Sequence, residues 1–175
     1  MAKPSFELMW ASFPDHTKYP TLRDLHTHIG GALAKNIDVP GFGPVGNTCA
    51  VRMSRALNYG NLPISPKLVK QLNVSAMTGK DGKLYIFRVR DMKAYLAKAL
   101  GGSPLKVTKD FGEAFQGKRG VVSFDVVGWS DASGHLALWD GEQFREPQDD
   151  YRGLKDDPAT PRVEPATQSM SLWKL

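Results

Sequence analysis

The chain contains one cysteine, Cys49, within the stretch GNTCAVRMSRALNYG that runs from 46 to 60. A thiol performs acyl-transfer chemistry when it is held as a thiolate beside a base. Free cysteines are more often small buried hydrophobes, so the local setting has to decide. After Cys49 the residues Ala50, Met53, Ala56 and Leu57 recur at helical spacing, with Asn47 or Thr48 as cap and Asn58-Tyr59-Gly60 as the stop. The unpaired N–H groups and positive dipole end of that helix favour a thiolate at its first residue. The Gly/Pro-rich approach DVPGFGPVGN at 38–47 reads as loop and keeps side-chain bulk away from the sulfur.

Four histidines are available as the base. His16 lies in the polar loop PDHTK. His26 and His28 sit two apart on a helix, so they face different sides, a poor spacing for a shared metal. These three read as structural or surface residues. His135 opens the strand HLALW directly after Ser133-Gly134. If Asp140-Gly141 forms a two-residue type I′ hairpin loop, Trp139 opposes Glu142 and His135 opposes Glu146. Opposed residues share a face of the sheet. Glu146 is then placed to accept the His135 Nδ1–H, leaving Nε2 as the base. In that register Asp140, about 17 Å from His135 along an extended strand, is set aside. A register slip, or a bulge near Pro147, brings in Asp149 instead, and Asp131 in the preceding turn is a further alternative. The catalytic candidates are therefore Cys49, His135 and Glu146.

The elements that must carry them follow from periodicity. SFELMWASF at 5–13 puts Phe6, Met9, Trp10 and Phe13 on one helical face, with Ser5 as N-cap and Pro14 as stop. A second helix is expected from about 21 to 35 on the stripe Leu22, Leu25, Ile29 and Leu33, weakened by Gly30-Gly31. KLYIFRVR at 83–90 alternates as a strand, and Asp91 can cap a helix ending at Gly101-Gly102. GVVSFDVVGW at 120–129, HLALW and EQFRE read as further strands. Residues 147–169, rich in Pro, Asp and Thr, are expected as a long surface tail, after which MSLWKL docks Leu172 and Trp173 on the body. Helices first and a small antiparallel sheet afterwards make an α+β fold, one domain over 1–175.

Composition excludes several classes. A single cysteine rules out an internal disulfide framework and any multi-cysteine metal site. No apolar run approaches the ~18 residues that would span a bilayer, so membrane insertion is not expected. The N-terminal stretch MAKPSFELMWASFP is not a secretory signal. The net charge of +5 suits an anionic partner, but the Lys and Arg are scattered, which argues against a dedicated nucleic-acid arm.

The blocks SFELMWASF, IGGALAKNI, NTCAVRMSRALN, YIFRVRDMKAYL and GVVSFDVVGWSDASGHLALWDG, in this order, resemble the fourth family of type VI secretion amidase effectors. The resemblance covers most of 4–146. It implies a papain-like cysteine peptidase fold with N-terminal helices packed on a small antiparallel sheet. It implies hydrolysis of the γ-D-glutamyl–meso-diaminopimelate bond of peptidoglycan stem peptides, with no metal or organic cofactor. It further implies delivery by a type VI system without a signal peptide, action in the periplasm of the target cell, and a cognate immunity protein. The family's catalytic cysteine and histidine match Cys49 and His135. Its third residue is usually Asp on the strand after the histidine, and an ungapped reading puts Glu146 there. Some relatives carry a cysteine pair near this point; residues 144–148 here are Phe, Arg, Glu, Pro and Gln. The competing reading is a non-enzymatic basic module that grips nucleic acid or wall polymer, with Cys49 buried.

Overall fold

A computed structural model describes residues 3–39, 47–129, 134–156, 159 and 164–175. Helix α1 (Phe6–Ser12) starts where the Ser5 side chain accepts the Leu8 N–H. Helices α2 (Leu22–Ile29) and α3 (Gly31–Lys35) follow, then α4 (Cys49–Tyr59) and α5 (Pro66–Leu72). A short hairpin of β1 (Ala76–Thr78) and β2 (Leu84–Ile86) leads into α6 (Val89–Ala99). The last third supplies β3 (Leu105–Val107), β4 (Gly120–Val127), β5 (Gly134–Trp139), a 3₁₀ turn (Pro147–Asp149) and β6 (Ala166–Lys174).

The four later strands form one antiparallel sheet in the order β3-β6-β4-β5. Alternation along β4 sends Val121 to one face and Val122, Phe124 and Val126 to the other. The first face, with Leu136, Leu138 and Trp173, packs on apolar residues of α1, α4 and α6. The second, with Ala137, Trp139, Met170 and Leu172, is covered by Phe115 and Phe144 from the connections. Because both faces are covered, all six residues of β5 are buried. Helix α4 lies between α1 and β5 and has nine buried residues. This is the expected α+β arrangement of helices on a small antiparallel sheet.

Four local expectations are corrected. The single helix over 21–35 is two helices, broken at Gly30 (φ +72°) and Gly31 (φ +66°). The break admits the β1–β2 hairpin: a Cβ on Gly31 would meet the Thr78 carbonyl oxygen at 2.4 Å, and the Ile29 carbonyl accepts the Lys80 N–H at 3.1 Å. The strand over 83–90 is only three residues long, because α6 already starts at Val89. Asp91 therefore sits inside the first helical turn, where its Oδ2 accepts the Ser75 N–H at 3.0 Å. EQFRE forms no strand; Phe144 makes an isolated bridge to Trp139 and the chain then coils into the 3₁₀ turn. The expected surface tail at 147–169 contains the buried Asp149 and the start of β6, the strand between β3 and β4.

Candidate active site

Cys49 is the first residue of α4 and is 2% exposed. Its N–H is accepted by Asn47 Oδ1 at 2.9 Å, and the Asn47 amide donates to the Gly134 carbonyl at 3.2 Å. Asn47 thus ties the start of the cysteine helix to the residue before His135. His135, the second residue of β5, is 5% exposed and paired across to Phe124. Its ring lies close enough to Cys49 for the cysteine to act on its charge. The structure brings these two predicted residues together.

Glu146 is not at the imidazole. His135 Nε2 instead meets Asp149 Oδ1 at 2.8 Å, which leaves Nδ1 as the nitrogen for Cys49. This reverses the ring assignment expected from a Glu146 partner. The cause is the hairpin loop. Asp140 Oδ1 accepts the N–H groups of both Glu142 and Gln143 at 2.8 Å, while the Asp140 N–H donates to the Gln143 carbonyl. The loop is therefore four residues long rather than two, and Trp139 opposes Phe144 rather than Glu142. Pro147 then starts the 3₁₀ turn that carries Asp149 to the ring. Asp140 is spent on the turn itself, and Asp131 lies outside the described residues.

The electrostatics favour a protonated His135. Burial alone pulls the His135 pKa down. The negative charge of Cys49, the bond to Asp149 and the contact with the sulfur outweigh burial and push the pKa up to about 9. Tyr151 stands edge-on to the ring, with centroids 4.6 Å apart. Burial and the charges of Asp149 and Cys49 raise the Tyr151 pKa, so its hydroxyl stays protonated.

The other histidines play different parts. His26 is buried; burial and the nearby Arg52 charge lower its pKa to about 4, so its ring is neutral. His28 stacks on Tyr19. His16, expected in a solvated loop, bonds the Glu146 carboxylate at 3.2 Å. Among the described residues no group of His, Cys, Asp and Glu could hold a metal ion. Arg52, one turn beyond Cys49, is 1% exposed and was not singled out by periodicity. Its position three residues after the cysteine, on the same helical face, was the available signal.

A thiol at a helix start facing an imidazole at a strand start, on an α+β body, is the papain-like arrangement. The chain belongs to the family described as type VI secretion system amidase effector protein 4, whose model matches residues 45–173. Solved structures agree over nearly the whole chain. The effector–immunity complex Tae4–Tai4 from Enterobacter cloacae is 31% identical, with 99% of each chain covered and a TM-score of 0.78. The corresponding complex from Salmonella Typhimurium is 33% identical, with 99% of each chain covered and a TM-score of 0.76. The Enterobacter cloacae effector alone is 30% identical, covering 99% of this chain and 98% of its own, with a TM-score of 0.74. No curated protein matches the chain.

Proposed function

We propose that this amidase effector hydrolyses the γ-D-glutamyl–meso-diaminopimelate bond of peptidoglycan stem peptides, with Cys49 as nucleophile, His135 as acid and base, and Asp149 as the residue that orients the imidazole. The observation that carries this reading is the buried line of three side chains, sulfur to imidazole to carboxylate. Glu146, first expected in the third position, has no contact with the ring and is given a different role below.

The chemistry follows from the charges. His135, protonated at neutral pH, holds the proton of a Cys49 thiolate and donates its Nε2–H to Asp149. The thiolate attacks the carbonyl carbon of the scissile amide. The Cys49 N–H, the obvious donor to the resulting oxyanion, is bound to Asn47 Oδ1, so the oxyanion must displace that amide. His135 passes its proton to the leaving amine of diaminopimelate, which frees the new amino terminus. The neutral imidazole then takes a proton from water as the water attacks the thioester. The γ-carboxylate of D-glutamate leaves and the thiolate–imidazolium pair is restored.

Membership of the amidase effector family supports an antibacterial role for this activity. The protein is delivered by a type VI system, acts in the periplasm of the target cell, and has an immunity partner in the producer, as its relatives have in their complexes. The test is digestion of diaminopimelate-type peptidoglycan by the wild type and by Cys49→Ala, with fragments read by mass spectrometry. Release of a diaminopimelate-containing dipeptide by the wild type alone is expected. Equal digestion by both proteins would overturn the reading.

A further inference from the structure

Besides its bond to His135, the charge of nearby Arg52 and its own N–H bond to Glu146, Asp149 has few contacts of its own to hold it in place. It sits on a three-residue turn rather than a strand, and its buried Oδ2 has no hydrogen-bond partner among the described residues. Its position against His135 depends on what fixes the turn. The turn begins at Glu146, whose carbonyl accepts the Asp149 N–H at 2.9 Å. The Glu146 side chain is 7% exposed, and both of its oxygens are engaged. Oε2 accepts the His16 N–H at 3.0 Å, meets His16 Nδ1 at 3.2 Å and accepts Gln148 Nε2 at 3.0 Å. Oε1 accepts Arg145 Nη1 at 3.0 Å, while Arg145 Nε donates to the Trp10 carbonyl at 3.1 Å.

The loop that receives Glu146 is gripped from its other side by the cysteine helix. Arg52 Nη1 donates to the Pro14 carbonyl at 2.8 Å and Nη2 to the Tyr19 carbonyl at 2.6 Å. Arg52 Nε donates to Thr48 Oγ1, on the residue before Cys49, at 2.9 Å. The contacts close a ring: α4, Arg52, the 14–19 loop, Glu146, the 3₁₀ turn, Asp149, His135 and back to Cys49. A buried carboxylate and a buried guanidinium are costly unless satisfied, and here each is satisfied on the same loop. An apolar contact could anchor that loop, but it would not set the direction of a carboxylate three residues beyond Glu146.

We propose that Glu146 and Arg52 are positioning residues, which use the 14–19 loop as a strut between the Cys49 helix and the Asp149 turn to aim Asp149 at His135. This rests on the Cys49–His135–Asp149 reading above. Glu146 reaches the chemistry only through Asp149, so its loss has no further consequence once Asp149 is gone. Among the described residues the groups that face His135 are Cys49 from α4 and Asp149 and Tyr151 from the segment after the hairpin; Glu146 is not among them.

The experiment is a double-mutant cycle of Glu146→Gln with Asp149→Ala, read as steady-state hydrolysis of a soluble stem peptide across pH. Alone, Glu146→Gln is expected to lower kcat about 10- to 100-fold with KM within about 2-fold, and to move the alkaline limb of the profile downward as His135 loses its support. In the Asp149→Ala background it is expected to change kcat by less than about 2-fold. An equal loss in both backgrounds, or an unchanged kcat in the single variant, would overturn the proposal. Should Glu146→Gln fail to fold, His16→Ala, a partly exposed donor to the same carboxylate, is carried through the same cycle and read by the same criterion. A Cys49→Ala protein that keeps wild-type activity would instead sink the catalytic reading itself.

Discussion

The two ends of the proposed catalytic line are built by different means. Cys49 and His135 come from an eleven-residue helix and a strand paired along its length, both sunk in apolar packing. Asp149 comes from a three-residue turn held by polar side chains. Regular elements fix direction through many weak contacts, so no one of them is decisive. A turn has few contacts, and each one matters. Nucleophile and base should therefore tolerate change around them, while the carboxylate should be sensitive to residues that never approach substrate.

The largest effect tests the robust end. Cys49→Ala is expected to reduce hydrolysis by about 10³-fold or more while leaving the melting temperature within a few degrees, measured by muropeptide release and calorimetry. Asp149→Asn comes next, with kcat down about 10²-fold or more and the fold intact. The same variant sharpens the contrast through pH. The folded His135 pKa of about 9 lies above its ordinary 6.5. The native state therefore keeps a proton that the unfolded chain loses between these values. The stability this contributes is complete below about pH 6.5 and is lost as pH rises through about 9. Urea midpoints followed across that window should fall for the wild type and fall less for Asp149→Asn; identical slopes would remove Asp149 from the account.

Smaller effects probe the packing. Leu138→Ala, in the core between the sheet and α4, is expected to cost about 3 kcal/mol of stability in denaturant titration. Its kcat per folded molecule should stay within about threefold. A large loss of kcat in the folded protein would mean that apolar packing aims the site as finely as the polar ring does. Ser65→Ala removes the side chain that accepts the Leu68 N–H at the start of α5. About 1 kcal/mol of stability is expected to go, with no change in activity.

The same contrast explains what could be read from the sequence. Cys49 and His135 stood out because each opens a segment with clear periodicity, and the helix and strand patterns survive in the fold. Asp149 enters the sequence reading only through a register slip or a bulge near Pro147, because the length of the 140–143 loop rests on a side chain. Asp140 caps two backbone N–H groups and turns an expected two-residue loop into four. β6 is hidden in the sequence for another reason. ATQSMSLWK alternates weakly because Thr167, Ser169 and Ser171 are buried within it, with Ser171 directly across from Ser123 on β4. Small hydroxyl-bearing residues inside a sheet look like a tail. α5 was legible in principle from Ser65-Pro66 and the left-handed Asn73 at its end, but its weak apolar stripe gave no helical signal.

Since β6 lies between β3 and β4, the middle of the sheet is made after both of its neighbours. A nascent chain that has not reached Ala166 can already form the cysteine helix and the histidine hairpin, yet β4 still presents a bare edge along its whole length. Bare edges recruit strands from other chains, so a polysome crowded with such chains is where misassembly would begin. Chains stopped before Ala166 are expected to pellet after synthesis in a cell-free extract, while full-length chains stay in the supernatant. Manufacture of the enzyme is thus gated by completion of β6, and until then a cell-wall amidase carries its scaffold open.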